Sequence, residues 1–335
     1  MTATPQTLLD LLRSFSSVDC DTLSVEVAEQ LGPFVDCTSN QAIVHDELTK
    51  RDSAGKSSHQ GLIVDSVDYA RSKAGVWPVA TVAEVAVEAI MVKLAQRMTP
   101  HLTGFSHLQT NPRYSCNTQS TIRNAKRLIR IWKDLDPGLD SGRLCIKIPG
   151  TWEGIQACEE LEKQGVTSLA NAVGSMQQAI LASAVGCTYI GCYIHDLEVH
   201  PEKSFSNNNK ALCFPNLTQR VFQQNGYRTQ VISASLTSVD EAMMLAGVHH
   251  MTVSPLVLWE LARTSSHSWE GEVGSLVKDI PEELCRVGQA IREESSWRLA
   301  FTKDQEGENE ARLNQAITFF RAKQDALEEI VRQNL

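Results

Sequence analysis

No apolar run in this chain approaches the roughly 20 residues that a membrane-spanning helix needs. Met1–Asp10 has no basic stretch followed by an apolar one, so the sequence reads as neither a membrane nor a secreted protein, and a cytoplasmic location is expected. Basic charge is in deficit: 31 Lys+Arg stand against 40 Asp+Glu, a formal net charge of −9. That balance argues against a nucleic-acid footprint, which needs clustered basic surface. There is no internal repeat, nucleotide loop, haem motif or Ser-His-Asp order, and no G-x-G-x-x-G turn follows any apolar run.

Paired cysteine motifs are missing too. The nine cysteines (20, 37, 116, 145, 158, 187, 192, 213 and 285) include no C-x-x-C pair. Most sit inside apolar runs and read as reduced core thiols, the alternative being that one is a nucleophile. In a cytosolic chain the glycosylation sequon at Asn216–Thr218 has no consequence.

What is present is an alternation of short apolar runs and helical patterns. With 42% hydrophobic and 21% charged residues, the chain can form a core. Strand-like runs occur at Ser17–Asp21, Pro33–Thr38, Leu102–Gln109, Arg143–Pro149, Val166–Val173, Thr188–Ile194, Thr229–Ser235 and His249–Ser254. Several are continuous rather than alternating in polarity, as fully buried parallel strands are. Between them lie segments with helical spacing. Ile122, Ala125, Ile129 and Trp132 mark one face of Asn117–Leu135, and Thr151 can cap a helix that runs to Gln164. After the last run, Leu313, Ile317, Phe320, Leu327 and Ile330 stripe a long amphipathic helix. Eight such runs in 335 residues predict one α/β domain over 1–335, a (β/α)8 TIM barrel, with 302–335 as a C-terminal helical extension packed on it. The polar stretches Lys50–Gln60, Glu202–Lys210, Arg263–Gly274 and Thr302–Glu310 are expected as surface loops.

Inside the run Arg143–Pro149 stands a lysine, Lys147. Strand side chains alternate faces, so it shares a face with Cys145 and opposes Ile146 and Ile148. If that face is the packed interior of a barrel, the ammonium form is costly, and desolvation leaves free amine to attack a carbonyl. If Lys147 lies nearer the strand end, it can snorkel to solvent instead. Polar groups also end the first two runs: Asp21 the first, and Asp36, Thr38 and Asn40 the second. A barrel keeps its chemistry at the C-terminal ends of its strands. Asp21 or Thr22 and Asn40 can equally serve as caps for helices over 24–31 and 41–49.

The segment Ile146-Lys-Ile-Pro-Gly-Thr-Trp-Glu-Gly-Ile155 resembles the lysine motif of the transaldolase family of Schiff-base enzymes. Asp36-Cys-Thr-Ser-Asn40 resembles the family's D-x-T-T-N-P signature, with Gln41 where proline is usual. The similarity runs from Val18 to the final helix and includes Trp297-Arg-Leu-Ala-Phe301. The resemblance implies that Lys147 forms an imine with a ketose-type carbonyl and that Asp21 is the general acid/base. It further implies that Asn40 and Thr38 hydrogen-bond substrate or Asp21. The glutamate that orients the family's catalytic water falls on Gln109, and glutamine is also seen there in the fructose-6-phosphate aldolase branch.

Several positions depart from the family pattern. Asn171 stands where a catalytic threonine is expected. In Gly191-Cys-Tyr-Ile-His-Asp196, glycine replaces a serine and aspartate replaces a phosphate-binding arginine. In Ser233-Ala-Ser-Leu-Thr237, Ser235 is kept and Thr237 replaces a second arginine. A hydrogen bond to a charged group contributes roughly 1.5–3 kcal/mol, so losing two such arginines costs roughly 3–6 kcal/mol of phosphate recognition, about a hundredfold to ten-thousandfold. The expectation is therefore imine chemistry on a small-molecule carbonyl substrate that is unphosphorylated or differently charged, with Asn171, Tyr193, His195, Asp196, Ser235 and Thr237 around it. Lys203 and Lys210 are candidates to compensate in part. A transaldolase of the pentose phosphate pathway and a non-catalytic metabolite binder are the alternatives. No cofactor is expected. The spacing of His195, Asp196 and His200 matches no zinc pattern, so no metal is expected. The family also suggests a homodimer.

Overall fold

Continuous apolar runs that are each followed by a helix assemble into a parallel sheet, because a crossover helix can cover both strands it joins. The computed structural model describes residues 6–51, 55, 57–196, 209–276 and 289–335. Its strands are β1 (Ser17–Cys20), β2 (Ser106–Gln109), β3 (Leu144–Pro149), β4 (Ser168–Val173), β5 (Tyr189–Tyr193), β6 (Gln230–Ala234) and β7 (His250–Val253). All pairs are parallel, in the order β1-β7-β6-β5-β4-β3-β2.

The remaining expected run, 33–38, is not a regular strand, which corrects the reading of eight. It still lies between β1 and β2. Val35 N donates to Val18 O and Thr38 N to Cys20 O, while Cys37 N donates to Phe105 O and His107 N to Cys37 O. The ring is thereby closed into a (β/α)8 barrel. The ladder is irregular because side chains intercept its donors. Asp19 Oδ1 accepts from Asp36 N at 3.0 Å, and Asp36 Oδ1 accepts from Phe105 N at 2.6 Å.

Alternation then sorts the strand residues. Val18, Leu108, Ile146, Ile148, Ala170, Ile190, Val231 and Met251 point outward into the main core beneath the helices. Cys145, Leu169, Tyr189 and Ile232, with Phe105 against them, form a separate apolar plug inside the barrel. The plug fills one end of the lumen, so the next inward-facing residues toward the strand C-termini form the floor of any site there.

The helix Trp152–Lys163 starts where expected, with Thr151 Oγ1 accepting from Gly154 N. The helix Thr118–Leu135 is capped by Asn117 and buries Ile122, Ala125 and Trp132, with Ile129 at the edge of the packed stripe. The segment Thr302–Glu310, expected as a loop, is largely helical: Thr302 and Lys303 end the helix Glu294–Lys303, the helix Glu308–Arg332 begins at Glu308, and the break between them is confined to the 3-10 turn Asp304–Gly307. The last helix buries Leu313, Ile317, Phe320 and Leu327. Arg113 ties it to the loop after β2 by pairing with Asp325 and Glu328. Its first turns reach the C-terminal ends of β4 and β5, where Asn309 and Arg312 share a pocket with Gly174, Tyr193, His195 and Asp196.

His200, Lys203, Cys285 and the side chain of Lys210 lie outside the described residues. Among the described cysteines, six are buried, Cys116 is exposed and Cys213 is intermediate, and none is in a disulfide.

Candidate active site

Lys147 enters the lumen one layer above the plug, two residues beyond Cys145 on the same face of β3. It is 3% exposed, so it does not snorkel to solvent. Among the described residues its amine makes no hydrogen bond or ion pair, and Nζ lies 6.0 Å from the centre of the Tyr193 ring. Burial lowers its pKa from the ordinary lysine value, while the Asp21 carboxylate acts in the opposite direction. An amine with no hydrogen-bond partner and a depressed pKa spends more time as the free, nucleophilic base than an exposed lysine does.

Asp21 follows β1 directly, on the inward side two residues beyond Asp19. It does not cap the following helix, whose N-cap is Ser24. Instead Asp21 Oδ1 accepts from Thr38 Oγ1 at 2.6 Å, and the Thr38 and Thr252 hydroxyls are 2.5 Å apart. A carboxylate only accepts, so the Thr38 proton goes to Asp21 and Thr252 donates to Thr38. Thr252 was not singled out by any motif; its inward register on β7, two residues beyond His250, is the only sequence signal it carries.

A chain of amides lines the neighbouring wall. Gln41 Nε2 donates to Thr110 O at 3.2 Å, and Gln109 Nε2 donates to Gln41 Oε1 at 2.8 Å. Asn171 Nδ2 lies 3.3 Å from Gln109 Oε1 and 2.9 Å from the Tyr193 hydroxyl. Gln109 and Lys147 are register partners on β2 and β3. The Tyr193 pKa is raised by burial, which keeps its hydroxyl protonated. Asn171 Oδ1 is buried without a hydrogen-bond partner among the described residues. It fits only because position 191 is glycine: a Cβ there would lie 2.8 Å from Oδ1.

The structure therefore brings Lys147, Asp21, Thr38, Gln109, Asn171 and Tyr193 to one layer of the lumen. Other expected site residues are engaged elsewhere. Asn40 Oδ1 accepts from Ala42 N and Ile43 N, so it caps the helix Gln41–Leu48 and makes no hydrogen bond to Asp21. His195 Nε2 lies 2.6 Å from Glu241 Oε1, and Glu241 Oε2 accepts from Thr237 N and its hydroxyl. Glu241 thus joins His195 and Thr237 into a rim structure above β5 and β6. Asp196 lies 3.4 Å from Arg312 Nε, and Arg312 also pairs with Glu308 at 3.0 Å. Ser235 stands just after β6 in the left-handed backbone region, at φ 64°.

Below the reactive layer, near the plug, sit two buried pairs that the motifs did not signal. His250 Nδ1 is 2.9 Å from Asp19 Oδ2, and His107 Nε2 is 2.9 Å from Asp36 Oδ2. Burial lowers the His250 imidazole pKa, but Asp19 outweighs it and leaves it raised. Asp19, Asp36 and His250 bring three metal-ligand atoms within 4.8 Å of one another. Their ligand atoms are already taken up in these pairs and in backbone hydrogen bonds.

Residues 18–329 match the family model described as "Transaldolase/Fructose-6-phosphate aldolase". A relative named "Transaldolase" from Alteromonas mediterranea is 27% identical over 330 residues, covering 97% of both chains. One named "Transaldolase B" from Pasteurella multocida is 29% identical over 291 residues, 83% of this chain and 87% of that one. A "Transaldolase" from Methylobacillus flagellatus is 26% identical over 333 residues, 98% and 99% of the two chains.

Proposed function

Because the chain belongs to the transaldolase/fructose-6-phosphate aldolase family, we propose that it makes or breaks a carbon–carbon bond through an imine at Lys147, on a carbonyl substrate without a phosphate. The observation that carries this reading is the buried Lys147 amine, unpaired among the described residues, in one layer with a carboxylate, Asp21, that is held by a hydroxyl chain.

The Lys147 nitrogen lone pair attacks the substrate carbonyl carbon; the resulting carbinolamine hydroxyl takes one proton from solvent and leaves as water, giving the iminium. Asp21 then takes the proton of the hydroxyl two carbons from the imine carbon. The carbon–carbon bond breaks, its electron pair moves into the iminium, and an aldehyde departs from an enamine. The enamine either adds to a second aldehyde or is protonated and hydrolysed. Asp21 returns the proton in each case. Gln109 is uncharged, so it orients a neighbour by hydrogen bonds but cannot itself take a proton.

Support for the unphosphorylated substrate comes from the mouth of the lumen. Asp196 and Thr237 occupy the places where the family resemblance implies arginines. Arg312, the guanidinium lining the mouth pocket, is already bridged by Asp196 and Glu308. An incoming phosphate meets two carboxylates around one guanidinium, a net negative set.

The names of the relatives favour a second reading, transfer of a three-carbon unit between sugar phosphates. Borohydride reduction in the presence of dihydroxyacetone, fructose and fructose 6-phosphate, followed by peptide mass spectrometry, tests both. An adduct on Lys147 with the unphosphorylated compounds is the expected result. Turnover of fructose 6-phosphate with erythrose 4-phosphate at ordinary transaldolase rates supports the second reading instead. No adduct with any carbonyl compound removes the imine mechanism.

A further inference from the structure

An isolated amide can present either end to a neighbour, but the amides of this lumen cannot. The chain begins at the Thr110 carbonyl oxygen, which only accepts, so Gln41 must turn Nε2 toward it. That leaves Gln41 Oε1 facing Gln109, which must answer with Nε2. Gln109 Oε1 then faces Asn171, which must answer with Nδ2. The last free atom, Asn171 Oδ1, is therefore an acceptor, buried beside Gly191 with no partner among the described residues. A buried acceptor without a donor carries a desolvation penalty that a bound donor removes.

Gln41 itself is fully buried and occupies the first position of the helix Gln41–Leu48. The Asn40 cap fixes its backbone, so its side chain is returned to the lumen. We propose that Gln41 is a positioning residue: through Gln109 it fixes the polarity of the amide chain and so presents the Asn171 carbonyl oxygen to a hydrogen-bond donor on the imine-bound substrate. This rests on the imine reading given above. Gln41 makes no hydrogen bond to Lys147; its effect runs through Gln109 and sets which end of the Asn171 amide is left as the free acceptor. A residue without a side-chain donor and acceptor at 41 leaves both amides free to rotate, and half of the resulting arrangements put an N–H where the acceptor belongs.

Two substitutions test it, with dihydroxyacetone as the probe. Two readouts are followed: the borohydride-trapped adduct on Lys147, and exchange of the probe's carbon-bound hydrogens with D2O, which requires proton transfer after the imine forms. Gln41→Leu is expected to keep trapping within about twofold and to lower exchange tenfold or more. In Gln41→Glu a protonated carboxyl reproduces both bonds, its O–H donating to Thr110 O and its carbonyl accepting from Gln109. The ionised form cannot. Exchange by that variant is expected to match the wild type at low pH and to fall as pH rises through a step that the wild type lacks. This second variant keeps the test if the first does not fold. Unchanged exchange in Gln41→Leu, a parallel fall of trapping and exchange, or a wild-type pH profile in Gln41→Glu overturns the proposal while leaving the imine reading intact. Failure of the wild-type protein to form any adduct removes both.

Discussion

The Thr38 hydroxyl lies 2.6 Å from Asp21 Oδ1, linking the closing segment of the barrel to the end of its first strand. The two are 17 positions apart in sequence and meet because 33–38 bonds to β1. A hydrogen bond to a charged acceptor contributes roughly 1.5–3 kcal/mol. Thr38→Val keeps the shape and removes the donor. It is expected to slow the proton-transfer step about tenfold to a hundredfold while leaving borohydride trapping at Lys147 near the wild-type level. Equal loss in both assays assigns Thr38 a purely structural part.

Lys147→Met removes the nucleophile, and no adduct is expected with any carbonyl compound. It also removes a buried amine whose pKa is lowered by desolvation. A base with a folded pKa below its unfolded one penalises folding most strongly below the folded value. The penalty fades as pH rises toward the ordinary lysine range. The variant is therefore expected to be more stable than the wild type, by about 0.5–2 kcal/mol near neutral pH, with the gain shrinking in alkaline buffer. Denaturant melts across that range measure this. A less stable variant contradicts the burial argument.

Asp196 holds Arg312 at the mouth of the lumen at 3.4 Å. Asp196→Asn keeps the size and releases one of the two carboxylates from the guanidinium. The preference for a phosphorylated carbonyl compound over its unphosphorylated counterpart is expected to rise about tenfold, roughly 1.4 kcal/mol. The ratio of kcat/KM values for fructose 6-phosphate and fructose reports it. No change places Arg312 outside the path of the substrate.

Gly191 and Asn171 fit only as a pair, since a Cβ at 191 would stand 2.8 Å from Asn171 Oδ1. Gly191→Ser alone is expected to lower trapping and stability together, because the amide must leave its place between Gln109 and Tyr193. With Asn171→Thr added, the shorter side chain vacates that space. The cycle is expected to show a favourable coupling of about 0.5–3 kcal/mol in melting experiments. Strictly additive effects refute the steric link.

The expected effect of the amide chain on proton transfer shows how unevenly the sequence carried its information. Lys147 was legible because a charged residue in the middle of a continuous apolar strand is chemically odd whichever fold surrounds it, and the adjoining Pro-Gly-Thr-Trp-Glu-Gly gave it a family. Gln41 was visible only as a departure from a motif. Its meaning depends on Gln109 and Thr110, 68 and 69 positions away. Arg312 gave no signal at all, since one arginine in a long amphipathic helix is an ordinary surface residue.

By itself the sequence determined the parallel strands, the face that Lys147 shares with Cys145, the Thr151 cap and the buried stripe of the last helix. Each of these follows from period, cap chemistry or polarity within a few residues. Tertiary structure alone decided that Asn40 caps while Thr38 reaches Asp21, and that His195 and Thr237 meet at Glu241 on the rim. It also decided that one amide chain ends in an oxygen with no partner among the described residues. Those outcomes depend on which atoms ring closure brings within about 3 Å across long sequence separations, and directional hydrogen bonds leave no periodic trace in a linear chain.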